Sequence, residues 1–569
     1  MSRTFLISSF GVSLFCLAYI VGQRLPVHDF FAVLIFKHLL VAQDYLAALL
    51  SLALLGVGLL VAPNGAKQLL VFIRILGNRP KTVALAAFVA FSVGALFAYH
   101  NHPLSMDEYS AYFQSQVFAS GDIKAQFPLP LLDWLVPPPF QNGFLIASRQ
   151  TGEVISGYLP GFALILTPFT FLGIPWACNP AIGALSIIVL HRITLELTKC
   201  EEAAGWAVLF AIASTAFSVN AMSYYSMPTH LLLNALYTLL LLRPTPRRAL
   251  FAGIAGGFAL VLHNPFPHML YAMPWVIWLV LRRDYRCLAL LMLGYLPIAV
   301  GLGYGWLLLM GDLRGAGKTA PNAEVYGAAW TMWMAEVQKV VRVPSADILE
   351  ARLAGLVKLS VWAVPGLLVL AWLGFLHGKQ DVRYRLLLAS AMATLLGYFF
   401  IPFDQGHGWG YRYFHSAWGV LPVLAAGAMV RPSGQEPSSQ SLTAVVGAIA
   451  LSSLLLSTAL QVWQVHFFVQ RHVGQVPLLD PGKAQVAFVD LRRGYYTIDL
   501  VQNHPKLERN TIMMVSYGAE HNARMARRLA PNATQVSSGR WGELWLLDEK
   551  ATSIGAASPR SGADLRGTN

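Results

Sequence analysis

Charged residues are scarce in this sequence of 569 residues. Asp, Glu, Lys and Arg together make up 12% of it, about half of their share in an average soluble domain. Apolar residues make up 56%, and the mean hydropathy is +0.53. Because a soluble protein of this length needs more polar surface to cover its core, the composition excludes an ordinary soluble enzyme and indicates an integral membrane protein.

Cysteine is also rare, with four residues at widely separated positions. No two of them have the Cys-x-x-Cys spacing of a zinc or redox motif. Each lies in or beside an apolar segment, so we expect packing roles and no cysteine-based metal site. The four are Cys16, Cys178, Cys200 and Cys287.

Acidic residues are fewer than basic ones, and the net charge is +13. In a soluble protein this excess would suggest a nucleic-acid partner. Here the basic residues lie mostly between apolar runs, where they are typical topology signals. We therefore expect membrane lipids as partners and no nucleic acid.

Apolar runs of about 18 residues, the length of a membrane-crossing helix, recur along the chain. Backbone groups in lipid must bond internally, so these runs predict helices. The predicted fold class is an all-α polytopic membrane protein with a small external α/β domain. Its thirteen spans have the approximate bounds 5–22, 43–62, 82–99, 175–191, 203–220, 229–242, 249–263, 268–281, 287–309, 357–376, 386–402, 413–430 and 441–463.

A further apolar segment, 158–173, decides the topology. It is short and contains Pro160, Gly161 and Pro168. If it does not cross, the loops on the side of the N-terminus carry basic residues roughly four times as densely as the opposite loops, as the positive-inside rule requires. We therefore predict a juxtamembrane or re-entrant segment, a cytoplasmic N-terminus and an external C-terminus in the cell membrane.

Three regions follow from this topology. Residues 1–465 form the predicted membrane domain, with long external loops at 100–157 and 310–356. Aromatic and basic residues at 323–342, in the second loop, favour an interfacial helix. Residues 466–550 form a predicted external α/β domain, with strand-like runs at 485–489 and 543–547 and a helical stretch at 519–529. The Ser-, Gly- and Ala-rich tail 551–569 is predicted to be disordered.

Two adjacent carboxylates, Asp107 and Glu108, follow the span that precedes the first external loop. The spacing of Ser105 and Glu108 matches a capping box, and Gly121 would end the helix that the box begins. Capping accounts for Glu108 by itself, whereas it permits Asp107 without requiring it. Asp107 is therefore the stronger candidate for chemistry.

This loop resembles the first-loop motif of the GT-C superfamily of membrane glycosyltransferases, in which a carboxylate pair, a helix and a Gly-Asp pair follow an early span. The superfamily includes the family 39 protein mannosyltransferases and the aminoarabinose lipid A transferases. Three later segments resemble its motifs in order and on the same predicted side, over roughly residues 80–430. They are Gly157-Tyr-Leu-Pro-Gly161, Ser223-Tyr-Tyr-Ser-Met-Pro-Thr-His230 and Gly410-Tyr-Arg-Tyr413.

The resemblance implies an inverting glycosyltransferase that moves a sugar from a polyprenyl-phosphate carrier to a lipid, glycan or protein acceptor at the outer face. It implies catalytic roles for the Asp107 and Glu108 pair, with Asp107 as general base. Arg412, flanked by Tyr411 and Tyr413, would bind the lipid phosphate. Asp107 and Arg412 would then meet in one crevice.

The sequence departs from the family's pattern at two points. Leu159 replaces a proline of the family, and the lysine of the aminoarabinose branch is missing, so Arg149 is the candidate to replace that lysine.

Histidines lie near the predicted outer face, and His263 and His268 are candidates to bind sugar or phosphate; the alternative is that they bond only to water and backbone. A divalent metal at His100, His102, Asp107 and Glu108 is a candidate cofactor, since these ligand types suit zinc or manganese.

A transporter or lipid flippase is the main alternative function, and a non-catalytic scaffold for envelope assembly is another. Transporters place charges deep inside spans and often contain repeated halves. The predicted spans are nearly free of acids and bases away from their ends, and no repeat is visible. These features favour the enzyme.

Overall fold

The computed structural model is mostly helical and divides into two compact units. The helical unit comprises residues 1–102, 176–306 and 322–467, and the mixed unit comprises residues 103–175, 307–321 and 468–569. The residues described are 2–25, 34–60, 66–315, 341–403, 406, 408–430, 440–477, 482–494 and 496–547. The predicted interfacial helix at 323–342 and the predicted disordered tail fall almost entirely outside them.

Long apolar helices build the helical unit, as the hydropathy predicts. Among the described residues, six are long and apolar enough to cross a membrane: Arg3–Gly22, Ile35–Leu60, Pro80–Phe97, Pro175–Thr198, Tyr285–Leu313 and Gln440–Val473. The other α-helices of this unit are Ala66–Asn78, Glu201–Ile212, Thr215–Asn220, Met227–Leu241, Pro246–Leu260, Phe266–Leu281, Ala346–Val361, Leu367–Gly378, Val382–Gly397 and Val420–Ala428. The multi-pass helical class is confirmed, and the number of thirteen spans stays a prediction.

Three of the long helices contain a π-helical stretch, and two of the predicted spans are not single continuous α-helices. The π-helical stretches are Leu39–Asp44, Ala299–Tyr304 and Ser453–Ser457. The predicted span 357–376 is split after Val361, because Pro365 lacks an N–H and Gly366 has a φ of +85°. The predicted span 413–430 begins as the 3₁₀ segment Arg412–Ala417 before the α-helix starts at Val420.

The helix Ala66–Asn78 lies in what the sequence suggested was a loop between spans. It packs against Glu201–Ile212 at a pair of glycines. A Cβ atom on Gly77 would lie 2.1 Å from the Glu201 carbonyl oxygen, and one on Gly205 would lie 2.1 Å from that of Ile73. The missing side chains allow the two backbones to touch, a contact that hydropathy alone does not indicate.

A buried ion pair joins Asp44 and Lys358, each of which is the second residue of a predicted span, 43–62 and 357–376. The Lys358 ammonium donates to the Asp44 carboxylate, and the two side chains are 0% and 1% exposed. Trp362 Nε1 donates to the other carboxylate oxygen at 2.7 Å. Each charge is thus paired, which is the condition under which charges persist in an apolar interior.

In its described residues, the mixed unit contains two small sheets, one large hydrophobic core and two smaller apolar clusters. Strands β1 (Ala125–Gln126), β2 (Leu145–Ala147) and β3 (Glu153–Ser156) form an antiparallel sheet in the order β1-β3-β2. Strands β4 (Gln485–Val489), β5 (Thr511–Val515), β6 (Thr534–Gly539) and β7 (Gly542–Leu546) form a second sheet in the order β5-β4-β7-β6. Only the β4–β5 pair is parallel. The α-helices of this unit are Met106–Ala119, Leu132–Leu135, Gly161–Phe171 and Ala519–Leu529.

The first external loop packs with the C-terminal region in this unit, whereas the sequence analysis assigned the two to separate domains. The apolar face of Met106–Ala119, including Phe113 and Val117, shares one core with Val486, Phe488 and Met514. The predicted strand 485–489 and helix 519–529 have the observed bounds, and β7 begins one residue before the prediction. Strands β5 and β6 were not predicted.

The segment 158–173 contains the helix Gly161–Phe171, which has eleven residues. At 1.5 Å per residue it is about 17 Å long, well short of the roughly 30 Å of a hydrocarbon core. The helices Glu201–Ile212 and Leu367–Gly378, which lie in predicted spans, have only twelve residues each. Length therefore does not decide whether 158–173 crosses, and the juxtamembrane or re-entrant segment stays a prediction.

Candidate functional site

The helix Met106–Ala119 holds Asp107 in its first turn. Ser105 is its N-cap in extended conformation, and Gly121, with a φ of +82°, follows its last turn as predicted. The buried Glu108 carboxylate accepts a hydrogen bond from the Leu104 N–H, while the Ser105 hydroxyl makes no capping bond. Glu108 therefore secures the start of the helix, and its catalytic role stays a prediction.

Tyr158 connects the second sequence motif to the first. Its hydroxyl donates to Asp107 Oδ1, 51 positions away in the sequence. The turn before it requires a glycine, because a Cβ atom on Gly157 would lie 1.8 Å from the Gly143 carbonyl oxygen. Phe144 contacts the Tyr158 ring edge-on at 6.1 Å between ring centroids. The backbone thus fixes a hydroxyl donor against the half-buried Asp107 carboxylate.

A residue of the C-terminal segment, Asp499, also reaches this helix. Its Oδ1 atom accepts a hydrogen bond from the Met106 N–H at 3.1 Å. The pKa of Asp499 is raised to about 7, mainly by burial. The hydrogen bond from Met106 acts to lower this pKa, and the charge of Asp107 acts to raise it. Sequence reasoning missed Asp499, because a single acid in the short 3₁₀ turn Thr497–Leu500 has no pattern around it.

In the helical unit, Arg412 meets another of the sequence motifs. Its guanidinium carbon lies 4.4 Å from the centroid of the Tyr225 ring, a cation–π arrangement. Gly410, two residues earlier, has a φ of +79°, so the loop needs glycine there. Asn220 donates to the Trp409 carbonyl at 2.8 Å and holds the start of the loop. The late motif and the Ser223–His230 motif therefore form one local structure.

The two tyrosines beside Arg412 are largely engaged in packing. Tyr411 is buried against the helix Ala346–Val361, where a Cβ atom on Gly355 would lie 2.4 Å from its ring. Tyr413 stacks on Tyr398 with ring centroids 4.4 Å apart, and its hydroxyl donates to the Phe403 carbonyl at 3.1 Å. Their roles in binding substrate stay predictions.

Arg352, which the sequence analysis counted only as a loop charge, is fully buried. Its guanidinium donates to the carbonyls of Tyr398, Ile401 and Phe403 at 3.0, 2.8 and 2.9 Å. It also lies 4.8 Å from the centroid of the Tyr413 ring. Arg352 therefore secures the turn on which Tyr413 rests.

The predicted histidine ligands have neighbours within the protein. His268 is fully buried, and its two ring nitrogens lie 2.6 Å from Asn234 Oδ1 and 2.6 Å from the Tyr295 hydroxyl. His263 Nδ1 lies 2.7 Å from the side-chain nitrogen of Asn264. The partners of His268 are thus side chains, not the backbone of the stated alternative, and a ligand would have to displace one of them. The sugar- or phosphate-binding roles of His263 and His268 stay predictions.

Arg149 lies at an open cleft of about 640 Å³ in the mixed unit. It forms an exposed ion pair with Asp133 at 3.1 Å, and Arg314 and Glu153 also line the cleft. Within the described ranges, no group of three or more His, Cys, Asp and Glu side chains is arranged to hold a metal ion. The His100 ring stacks on His466 with centroids 4.8 Å apart. The metal cofactor and the phosphate-binding role of Arg149 stay hypotheses.

The comparisons with known proteins give a structural likeness at low similarity. Two crystal structures of ArnT from Cupriavidus metallidurans align with 84% of this chain and 99% of theirs. The one bound to undecaprenyl phosphate has 12% identity and a TM-score of 0.48, and the apo structure has 14% and 0.47. Values this low establish neither a shared family nor a shared activity. No protein-family model matches the sequence, and no curated protein matches it.

Proposed function

We propose that this chain is a membrane glycosyltransferase of the GT-C type, which transfers a sugar from a polyprenyl-phosphate carrier to an acceptor at the outer face of the cell membrane. The hydrogen bond between Tyr158 and Asp107 carries the proposal. It joins two of the motifs on which the resemblance rests, at a carboxylate suited to base chemistry. The pairing of Arg412 with Tyr225 supports it from the other two motifs.

In the proposed reaction, Asp107 accepts the proton of an acceptor hydroxyl as its oxygen attacks the anomeric carbon. The bond between that carbon and the phosphate oxygen breaks, and the lipid phosphate leaves with the electron pair. A single displacement of this kind inverts the anomeric configuration. Arg412 stabilises the departing phosphate with two parallel hydrogen bonds.

The reaction requires Asp107 and Arg412 to share one site. They belong to different compact units, so their meeting is part of the proposal. The proposal also includes a cytoplasmic N-terminus and an external C-terminus, which place both residues at the outer face.

Transfer from a defined donor tests the proposal. The purified protein is incubated with undecaprenyl phosphate carrying a radiolabelled hexose or pentose, and with an envelope extract of a strain that lacks the gene. We expect labelled acceptor and an equal amount of undecaprenyl phosphate. If the folded protein leaves every labelled undecaprenyl-phosphate hexose and pentose intact, the proposal is contradicted.

Replacement of Arg412 by alanine is expected to lower kcat of this transfer by about 100-fold, because one charge-stabilising group of the transition state is lost. Arg412→Lys should retain part of the rate, since lysine keeps the charge but not the paired hydrogen bonds. Arg247→Ala, at an exposed arginine of the same unit, is the matched control. Equal rates for the Arg412 and Arg247 alanine variants would remove Arg412 from the site.

A transporter or flippase of lipid-linked sugars is the second candidate, and the buried Asp44–Lys358 pair is the observation that favours it. Such a protein would move the labelled lipid across proteoliposomes without breaking the bond to phosphate. Measuring lipid movement and undecaprenyl phosphate release in the same vesicles separates the two candidates.

A further inference from the structure

One short C-terminal loop holds the end of the helix on which Asp107 lies. The Asp499 carboxylate accepts from the Met106 N–H at 3.1 Å, and the side-chain nitrogen of Gln502 donates to the Pro103 carbonyl at 2.7 Å. That nitrogen also donates to the Asp499 carbonyl at 2.8 Å, which ties the two contacts together. The loop therefore contacts the chain on both sides of the N-cap.

The next residue of the loop, Asn503, makes a reciprocal pair of bonds with the same helix. The Tyr109 hydroxyl donates to the Asn503 carbonyl at 2.5 Å and accepts from the Asn503 N–H at 2.8 Å. The Asn503 side chain bonds both main-chain groups of Met513, at 2.8 and 2.9 Å, and so anchors the loop to strand β5. Tyr109 and Asn503 are each 4% exposed. A buried network of this kind fixes a helix in one position.

We propose that residues 499–503 are the positioning element of the Asp107 site, in which Asn503 fixes the helix through Tyr109, and Asp499 and Gln502 hold the backbone on both sides of its N-cap. This proposal gives the C-terminal region a defined role in the reaction. It rests on the proposed function only in experiments that measure sugar transfer. Asp499 and Asn503 are positioning residues, because they act through Asp107.

A readout independent of transfer separates this inference from the proposed function. If amide exchange at the start of the helix depends on the Tyr109 hydroxyl in a protein that transfers no sugar, the positioning role is supported and the proposed function is contradicted. If exchange depends on that hydroxyl but kcat does not, the consequence for transfer is overturned.

The anchoring by Asn503 is tested with a pair of tyrosines on the same helix. Tyr109→Phe removes the hydroxyl that bonds Asn503, whereas Tyr112→Phe removes one that accepts a 3.4 Å bond from Arg509. We expect amide exchange of residues 103–110 to become at least about tenfold faster in Tyr109→Phe only, since this network closes that end. We also expect a lower kcat with unchanged KM. Equal exchange in the two variants would contradict the anchoring role.

Discussion

Replacement of Asp107 by asparagine is expected to lower kcat of sugar transfer by about 10²- to 10⁴-fold, the usual contribution of a general base. Asparagine has the same shape, and its oxygen can still accept the hydrogen bond that Tyr158 donates. It cannot take a proton from an acceptor hydroxyl at neutral pH. The loss should therefore fall on the chemical step and leave donor KM almost unchanged. Initial rates with labelled undecaprenyl-phosphate sugar at saturating concentration measure it.

The control for this prediction is Asp490→Asn, the same change at a carboxylate that bonds the Arg492 N–H in the mixed unit. It should retain the wild-type rate. Thermal unfolding of both variants shows whether a lost rate reflects lost structure. A folded Asp107→Asn protein that transfers sugar at the wild-type rate would show that the base is another group.

Replacement of Lys358 by methionine is expected to destabilise the helical unit by about 3–5 kcal/mol, because it leaves the Asp44 charge buried without its partner. Asp44→Asn should have a similar effect on Lys358. The double variant should recover most of the loss, since neither buried charge then remains. The midpoint of thermal unfolding in detergent measures all three proteins.

Lys379→Met provides the matched control, because Lys379 is exposed just after the helix Leu367–Gly378. That change should shift the midpoint little. A double variant as unstable as the two single losses combined would show that the pair does not act as a unit. It would instead assign the effect to lost packing around Trp362, which bonds Asp44.

Features encoded over short stretches of sequence were predicted well. The first span and the strand Gln485–Val489 follow from hydropathy and from residue types within a few positions. The bounds of the helix that carries Asp107 were also predicted, with Ser105 as its N-cap and Gly121 after its last turn, although the predicted capping bond of Ser105 does not form. These signals involve residues that are close together in the sequence, so they can be recognised without the tertiary structure.

Features that join distant residues were not predicted. Asp44 and Lys358 were read as residues at the ends of spans, and Arg352 was counted as a loop charge, because each stands alone in its segment. Their burial depends on partners contributed by other elements. Asp499 was missed for the same reason, since its partner Met106 lies 393 positions away.

The sequence by itself determined that the chain is a multi-pass helical protein with a small region of strands and helices near its C-terminus, because hydropathy and capping are local properties. It also singled out Asp107 and Arg412 by the order of short motifs. Only the tertiary structure showed that Tyr158 bonds Asp107 and that Asp499 bonds the neighbouring Met106 N–H. It alone placed the Tyr225 ring against Arg412 and paired Lys358 with Asp44. The physical reason is that burial and charge pairing depend on distances in space, which residue order does not give.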